Sequence, residues 1–584
     1  MKTLKYRVSI LCSIVLIALN SCSLDEKIQD APTPATLTSD ADVTAVIQGM
    51  YSRFNDPGMF KFLGHNMLTL LADDIYSTSG SEYGPYAQRT FTSANTSPMW
   101  NNMYYTISNA NSLINMLDRM KLTDAFKRRA YGEAYFIRAF SYYYLVRLYG
   151  GVPLRTTPTT IDSDFYLQRN SVDEVYTQIF KDFKAASERL PVKSAVAAAD
   201  LGRATKGSAQ AILAQAYLTY ANKQELNGQS GAANFQNSVL YADSVVNSAQ
   251  YSLLADYGDL FDIAKEAGAY NEVIFGVRFQ TDGTARAQPA AGSEYATRFG
   301  SSNTWGVSAN GANGDNTFRV SHWFADYYRK GDYGNGLSNF TPNIDYRNEK
   351  AFFQRGYNPN TVNTDKTLGR FFAVYPNIPG TTIPGAATDG TINDPFIAKY
   401  QDPGGKDGRN NGNDFFIIRL AEVYLIKAEA ANELNGPTTE ALTAFNMVRT
   451  RARTVNSLPN ARLFPANLTT LTAGTKNDFR LKIFDERGLE LVGEGQRWFD
   501  LVRMRSPLNP TQTMYEYQFK VVLSDATKFP RTLPTYNATT KRYSNANAIY
   551  APILNVTVPK FLLFPIPATE LLQNKKFGSQ NPGW

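Results

Sequence analysis

The feature that most restricts the fold of this chain is a series of segments in which apolar residues recur every three or four positions. This spacing places the apolar side chains on one face of an α-helix, which then has to be buried against a neighbour. The segment after Asp40 is an example, with apolar residues at 43, 46, 47, 50, 51 and 54. The same spacing predicts helices at 100–120, 123–148, 171–190, 205–222 and 235–249. We therefore predict a mainly α fold.

Start and stop signals support these helices. Ser171 and Glu174 form a Ser-x-x-Glu capping pattern, and Pro191 follows the last apolar position of that segment. Gly150 ends the preceding helix. The segment 205–222 is rich in alanine, which lets helices approach closely. Adjacent helix pairs of this kind predict a tetratricopeptide-like stack, with an irregular helical bundle as the alternative.

The middle of the chain has a different composition. Between 255 and 415 the helical spacing largely stops, and Gly, Asn, Asp, Thr and Pro cluster in runs such as 300–316 and 375–394. Loops of this length in a compact protein are usually functional or disordered. Aromatic residues are interspersed in them, so we predict ordered loops rather than disorder.

Helical spacing returns near the end of the chain. It predicts helices at 417–434, 438–453 and 479–491, with 497–502 as a possible extension of the last. We expect a helical region at 41–254, followed by a second region at 255–584. The second region is loop-rich to 415, helical over 416–505 and irregular after that.

The N-terminal segment predicts export. Lys2, Lys5 and Arg7 precede an apolar run at 8–19, which is followed by Leu-Asn-Ser-Cys ending at Cys22. A run of roughly a dozen residues is too short to span a bilayer, which takes about 20. The tetrapeptide resembles a lipobox, the site at which lipoproteins are cleaved and acylated. We therefore expect residues 1–21 to be a signal peptide and Cys22 to carry a lipid.

Cysteine content agrees with that expectation. The only other cysteine is Cys12, inside the segment that would be removed, so Cys22 would have no disulfide partner in the mature chain. Residues 22–40 are polar, with prolines at 32 and 34, and predict a flexible tether. The acidic pair Asp25 and Glu26 resembles a surface-export signal of some Gram-negative bacteria. We expect a protein anchored by lipid to the outer membrane and exposed on the cell surface.

Several classes of function are disfavoured by composition. Loss of the three N-terminal cations lowers the formal charge from +7 to +4, which is small for a nucleic-acid partner. His65 and His322 are the only histidines, so histidine metal sites and Ser-His-Asp triads are nearly excluded. We predict no cofactor, no metal and no enzymatic activity. A glycosidase that uses two carboxylates remains the alternative enzyme, since Asp and Glu are plentiful.

Four separated blocks resemble the SusD/RagB family of outer-membrane nutrient-binding lipoproteins. They are GEAYFIRAF at 132–140 with LYGGVPL at 148–154, IRLAEVYLIKAEA at 418–430, ERGLELVGEGQRWFDLVR at 486–503, and FPIP at 564–567 with Glu570 and QNPGW at 580–584. The resemblance implies a tetratricopeptide-like scaffold with an irregular part that carries the ligand site. It also implies a lid over a SusC-like TonB-dependent transporter, which captures oligosaccharides or, in the RagB branch, peptides.

The third block has charges of alternating sign. Its charged residues allow i,i+3 and i,i+4 pairing, and we predict a partly buried ion network: Glu486, Arg487, Glu490, Glu494, Arg497, Asp500 and Arg503. The alternative is a catalytic carboxylate pair. Neighbouring arginines lower carboxylate pKa values, which disfavours a general acid there.

Sugar binding needs aromatic rings for the apolar sugar faces and polar side chains for the hydroxyls. The chain has 35 tyrosines, and some aromatic residues stand in polar loops with polar side chains near them in sequence. The predicted ligand-binding set is Tyr83, Tyr86, Tyr295, Arg298, Asn303 and Trp305. Local packing and contact with the transporter are the alternatives for each ring. An oligosaccharide is the predicted ligand and a peptide the alternative. A glycan binder should bind sugars without releasing product.

Overall fold

The structure is a computed structural model. It describes residues 39–78, 83–160, 162–280, 292–301, 314–327, 345, 347–352, 355–362, 368–374, 386–392, 394–402, 410–453, 465–537, 542–543 and 548–584. The expected signal peptide, Cys22 and the tether to residue 38 lie outside these residues.

Helices dominate the N-terminal half. They are α1 Asp40–Ser52, α2 Leu63–Leu70, α3 Gly84–Ala87, α4 Ser93–Leu117, α5 Asp124–Tyr149, α6 Val172–Arg189, α7 Lys206–Leu226 and α8 Ala232–Val246. Short helices follow in the middle of the chain: α9 Glu266–Ala269, α10 Tyr295–Phe299, α11 His322–Tyr327 and α12 Arg347–Ala351. Longer helices then return, as α13 Leu420–Asn435, α14 Thr439–Ala452, α15 Thr470–Ala473, α16 Lys476–Leu491, α17 Arg497–Arg503, α18 Met514–Tyr517 and α19 Ala568–Gln573.

The strands are short and form small sheets. They are β1 Ile75–Tyr76, β2 Val273–Val277, β3 Arg319–Val320, β4 Arg355–Val362, β5 Leu368–Val374, β6 Ala386–Ile392, β7 Phe415–Arg419, β8 Tyr536–Asn537 and β9 Arg542–Tyr543. Strands β1 and β3 pair antiparallel, as do β2 and β7, β4 and β5, and β8 and β9, whereas β6 joins β5 in parallel. The β2–β7 pair joins the start of the loop-rich region to its end.

The mainly α prediction is confirmed. Helices α4 to α8 pack in sequence, each against the next, and α13 packs against α8, α14 and α16. This succession of helix pairs is the tetratricopeptide-like stack that the sequence predicts. Among the described residues, no helix is both long enough and apolar enough to cross a membrane.

One boundary prediction was wrong. The sequence predicts a helix from Ile417, but residues 415–419 form β7, and α13 begins only at Leu420. The run Phe-Phe-Ile-Ile is fully buried, and a continuous apolar run does not distinguish a buried strand from a helix. At the other end of the chain, α4 begins earlier than predicted because Thr92 and Asn95 form a capping box.

Aromatic side chains fill the core between the helical stack and the strands. Phe140 on α5 lies 5.1 Å from Phe54 and 4.8 Å from Tyr144, measured between ring centroids. Phe275 on β2 contacts Phe140 edge-on at 5.7 Å, and Phe60 stacks on the ring of Phe415 at 5.5 Å. Most of the aromatic content therefore stabilises packing, since such pairs add to the free energy of area burial.

A buried ion-pair network lies beside the β2–β7 pair. Arg419 at the end of β7 contacts three carboxylates, at 3.0 Å from Glu272, 2.5 Å from Glu490 and 2.9 Å from Glu494. Arg451 on α14 pairs with Glu272 at 2.7 Å and also contacts Glu490. All five side chains are almost fully buried. The structure thus confirms that the third block of the sequence forms an ion network.

The network continues on the side of α12. Arg347 contacts Asp345 at 2.6 Å, Glu486 at 2.8 Å and Glu490 at 2.9 Å. Arg449 on α14 pairs with Glu486 at 2.8 Å, and Lys399 pairs with Glu494 at 2.6 Å. Burial alone would raise the pKa of Glu490, but Arg451, Arg419 and Arg347 hold that pKa well below its ordinary value. The carboxylate therefore stays ionised in the core.

We predict that Arg419→Met strongly destabilises the fold. Removing one partner of a buried ion pair leaves the opposite charges uncompensated, which costs about 3–5 kcal/mol. Urea denaturation followed by circular dichroism measures the loss. The control is Arg119→Met, at an exposed position on the turn after α4, which should change stability by less than about 0.5 kcal/mol. Equal effects of the two variants would contradict a structural role for the network.

Candidate functional site

The short β1–β3 pair brings together two segments that are distant in sequence. Tyr76 lies opposite Arg319, and Ile75 lies opposite Val320. A hydrogen bond next to the two strands extends this pairing. The Ser321 amide donates to the Asp74 carbonyl oxygen at 2.7 Å. This pairing places the start of the first polar loop beside the loop-rich middle region, where the sequence predicts the ligand site.

A shared carboxylate organises this junction. The Tyr76 hydroxyl donates to Asp394 Oδ1 at 2.9 Å, and Arg319 Nη1 lies 3.3 Å from Asp394 Oδ2. His322 Nε2 lies 3.5 Å from Asp394 Oδ1. Tyr76 and His322 are buried, while the side chains of Arg319 and Asp394 are 19% and 22% exposed. An ion pair with both a donor and an acceptor is thus accessible from solvent.

An aromatic ring lies against the same junction. Tyr550 stacks on Tyr76, with ring centroids 4.9 Å apart and planes inclined by 27°. Unlike Tyr76, Tyr550 is partly exposed. We call Tyr76, Arg319, His322, Asp394 and Tyr550 the Tyr550 platform. It combines an accessible aromatic ring with hydrogen-bonding groups, which is the combination that sugar rings require.

A small cavity lies close to this platform. It has a volume of about 180 Å³, and its lining includes Trp323, Phe324, Phe529, Tyr517 and Gln518. The Trp323 amide donates to the Ala548 carbonyl oxygen at 3.3 Å, so the cavity wall is linked directly to the segment that ends in Tyr550. Trp323 is only 4% exposed, so its ring is part of the core as well as of the cavity wall.

The predicted tyrosines of the first loop are buried. Tyr83 and Tyr86 are each 1% exposed, although their Gly, Ser and Pro neighbours favour surface positions. The ring of Tyr83 meets Phe318 edge-on at 5.3 Å, and the Tyr86 hydroxyl donates to the Asn95 carbonyl oxygen at 2.8 Å. Their surroundings favour the packing alternative, and ligand contact by either ring stays a prediction.

The predicted residues of the middle region are also buried where the structure describes them. Tyr295 is 1% exposed, packs 5.0 Å from Tyr400 and donates from its hydroxyl to a main-chain carbonyl oxygen. Arg298 forms ion pairs of 2.7 Å with Glu294 and with Asp315, and its guanidinium lies 5.0 Å from the centre of the Tyr83 ring. The fold therefore brings Arg298 and Tyr83 into contact, but both side chains are buried.

The remaining predicted residues, Asn303 and Trp305, lie outside the described residues. Tyr550, Arg319 and Asp394 of the platform are not among the residues predicted from sequence. Tyr550 and Arg319 stand in no motif, and Asp394 is 318 positions from its partner Tyr76. Only information on which residues lie close together in the folded chain could have identified them.

Two sequence-based alternatives concern a metal site and a general acid in the third block. No group of three or more His, Cys, Asp or Glu side chains is arranged there to hold a metal ion. In the third block, ion pairing outweighs burial and holds the pKa values of Glu490, Glu494 and Asp500 below their ordinary range. Such carboxylates do not serve as general acids near neutral pH.

The pKa of Asp74, directly before β1, is shifted in the opposite direction from those of the third block. Burial and the adjacent Asp73 raise the pKa of the Asp74 carboxyl to about 7, and Arg497 offsets only part of this. Arg497 is already paired with Asp73, with Nε 2.8 Å from Oδ1. The folded chain therefore holds a proton on Asp74 that the unfolded chain releases. The stability that this proton provides is lost as pH rises from about 4 through 7.

We predict that Asp74→Asn is more stable than the unaltered chain at about pH 8, by up to ~4 kcal/mol. The amide imitates the protonated acid, so the advantage should shrink towards pH 5. Urea denaturation at several pH values measures the difference. The exposed Asp162→Asn is the control and should follow the unaltered chain throughout. An advantage that is constant with pH would contradict the assignment.

Known families match most of this chain in sequence. The profile of the SusD family matches residues 271–584, and a profile described as "Starch-binding associating with outer membrane" matches residues 24–218. SusD-like protein P2 of Formosa agariphila is 26% identical over 600 residues, which cover 99% of this chain and 100% of the relative.

Solved structures share the fold. A SusD homolog from Bacteroides thetaiotaomicron superposes with a TM-score of 0.71 at 21% identity, covering 94% of this chain and 98% of that structure. A structure described as a laminarin binding SusD-like protein has a TM-score of 0.65 at 20% identity. The match covers 94% of this chain and 100% of that structure. The helical stack and the loop-rich part are therefore a known architecture.

Proposed function

Because this chain belongs to the SusD family, we propose that it captures oligosaccharides at the outer membrane and delivers them to a SusC-like TonB-dependent transporter. The profile that matches residues 24–218 is described as starch-binding and associated with the outer membrane. One structural relative is described as laminarin binding. Both descriptions support a glycan ligand here.

The Tyr550 platform is the observation that carries the proposal. Tyr550 is partly exposed and is supported from behind by Tyr76, so its ring is held in a fixed orientation. Arg319 and Asp394 form an ion pair at the same junction, so the junction offers both donor and acceptor groups. A sugar ring that contacts Tyr550 through its C–H groups would find partners for its hydroxyls nearby. We propose this junction as the oligosaccharide site.

We infer that the protein binds without cleaving. Retaining and inverting glycosidases need two carboxyl groups on opposite sides of one bond, and one of them must act as an acid. At the proposed site Asp394 already accepts from Tyr76 and pairs with Arg319. Both oxygens of Asp394 are therefore engaged by neighbouring side chains, which suits this residue to recognition.

We predict that Tyr550→Ala weakens oligosaccharide binding by about 0.5–1.5 kcal/mol, the range for one aromatic contact beyond area burial. The probes are laminarin-derived and starch-derived oligosaccharides, and isothermal titration calorimetry measures affinity. The melting temperature should change little because Tyr550 is partly exposed.

Two matched variants complete the experiment. Tyr166→Ala removes a ring that is 45% exposed elsewhere and should leave affinity unchanged. Tyr83→Ala empties a buried position and should lower stability by ~3–5 kcal/mol, the cost of truncating a buried aromatic ring. If the sugars fail to bind and peptides bind instead, the glycan assignment is wrong. Release of shortened sugars over time would contradict binding without cleavage.

We also propose that acylation of Cys22 anchors the protein. The support is the cationic start, the short apolar run and the lipobox-like tetrapeptide, followed by a polar segment of about 17 residues before α1. A flexible segment of that length would hold a binding protein near the membrane and let it move over a transporter.

Replacing Cys22 with Ala should abolish incorporation of labelled palmitate and release the protein from the outer membrane. The matched control is Cys12→Ala, which alters the other cysteine inside the segment expected to be removed. That variant should be labelled and retained as before. Continued labelling of the Cys22 variant would contradict the anchor.

A further inference from the structure

A second cavity lies on the helical side of the molecule. Its volume is about 340 Å³, within the range of small-molecule sites. The last turns of α5, helices α6, α7 and α17, and the segment around 559–563 enclose it. None of the residues of the Tyr550 platform lines it, so it is separate from the proposed oligosaccharide site.

Arg147 on α5 lines this cavity, and its guanidinium lies among aromatic rings. The side chain is only 8% exposed, and its guanidinium carbon lies 3.8 Å from the ring centre of Phe499, 3.9 Å from that of Tyr143 and 4.4 Å from that of Tyr144. Its Nε lies 3.4 Å from the Tyr143 carbonyl oxygen of its own helix. Three aromatic rings therefore hold the guanidinium in one place.

Arg147 has no carboxylate partner within 4.0 Å among the residues that the structure describes. Other buried arginines nearby each have a carboxylate partner. Arg138 pairs with Asp182 at 2.8 Å, and Arg503 pairs with Glu429 at 2.5 Å. A buried cation without an anion is costly, and cation–π contacts offset only part of that cost. An anion in the cavity would complete the set of contacts.

Further groups of the cavity wall suit an anion. The side chain of Lys223 on α7 lines the cavity and forms neither a hydrogen bond nor an ion pair with the described residues, although the Asp173 carboxylate acts on it electrostatically. The Tyr176 hydroxyl is likewise without a hydrogen-bond partner in the described part of the chain, although the ring is only 3% exposed. The carboxylate that lines the cavity, Glu516, is engaged by Thr513 in a capping box.

The rest of the lining is mostly apolar. It includes Val172, Leu226, Val502, Pro559, Leu562 and Leu563. A phosphate ion or a fully hydroxylated sugar would leave these side chains without apolar partners. A small molecule that has a carboxylate at one end and a hydrocarbon body at the other would match both parts of the wall.

We propose that this cavity binds a small organic carboxylate, with the carboxylate at Arg147 and Lys223 and the hydrocarbon body against the apolar wall. The guanidinium is preorganised by its three rings, so little side-chain entropy is lost when the anion binds. The site is independent of the oligosaccharide site, and either assignment can fail without the other.

The test uses two probes of the same shape on the mature full-length chain. Phenylacetate carries the charge and phenylacetamide does not, and both are small enough for the cavity. Isothermal titration calorimetry should show phenylacetate binding at least about tenfold more tightly, because only the anion pairs with the cations. Equal affinity of the two probes, or no binding of phenylacetate up to ~10 mM, would overturn the proposal.

Variants then locate the site. Arg147→Met keeps the length of the side chain and should weaken phenylacetate binding at least about tenfold while leaving phenylacetamide unaffected. Lys223→Met should weaken phenylacetate binding by a smaller factor, and it serves as the deciding variant if Arg147→Met does not fold. The exposed Lys181→Met on α6 is the control and should bind as the unaltered chain does. Unchanged binding in both cavity variants would overturn the proposal even if phenylacetate binds.

Discussion

The buried ion-pair network is the interaction on which the rest of the structure depends. Its charges come from the start of β2, the end of β7, helix α14 and the residues at the end of α16, so none of these elements can be displaced without exposing an unpaired charge in the core. The block at 486–503, which supplies Glu490 and Glu494, also supplies Arg497. Arg497 pairs with Asp73, directly before the strand that carries Tyr76. The scaffold and the Tyr550 platform are thus coupled through buried charges rather than through apolar packing alone.

Aromatic side chains have three distinct roles in this fold. Most of them pack against one another in the core, as Phe140 does with its neighbours. Tyr76 supports Tyr550, whose ring stays partly exposed. Around Arg147, three rings substitute in part for the anion that a buried guanidinium normally has. The high aromatic content of the sequence did not indicate which rings remain accessible.

The fold was largely predictable from sequence, and the candidate site was not. Helical spacing placed α5, α6 and α7 to within a few residues, because each helix has to bury one apolar face. The same reasoning failed at 415–419, where a fully buried strand has no alternation that would distinguish it from a helix. Tyr83 and Tyr295 seemed accessible by their polar neighbours, yet long-range contacts with Phe318 and Tyr400 bury them. The contacts of Tyr550 and Asp394 arise only when distant segments meet.

The pairing of β2 with β7 has a consequence for how such a protein can change over evolutionary time. The two strands are hydrogen-bonded neighbours, so the chain leaves the scaffold at Val277 and re-enters it at Phe415, directly opposite. The residues between them form an excursion whose two ends are fixed by the sheet. Changes within that excursion that spare its buried ion pairs, such as those of Arg347 and Lys399, leave the spacing of its ends unchanged. New ligand contacts can therefore be acquired there while the helical stack keeps its sequence.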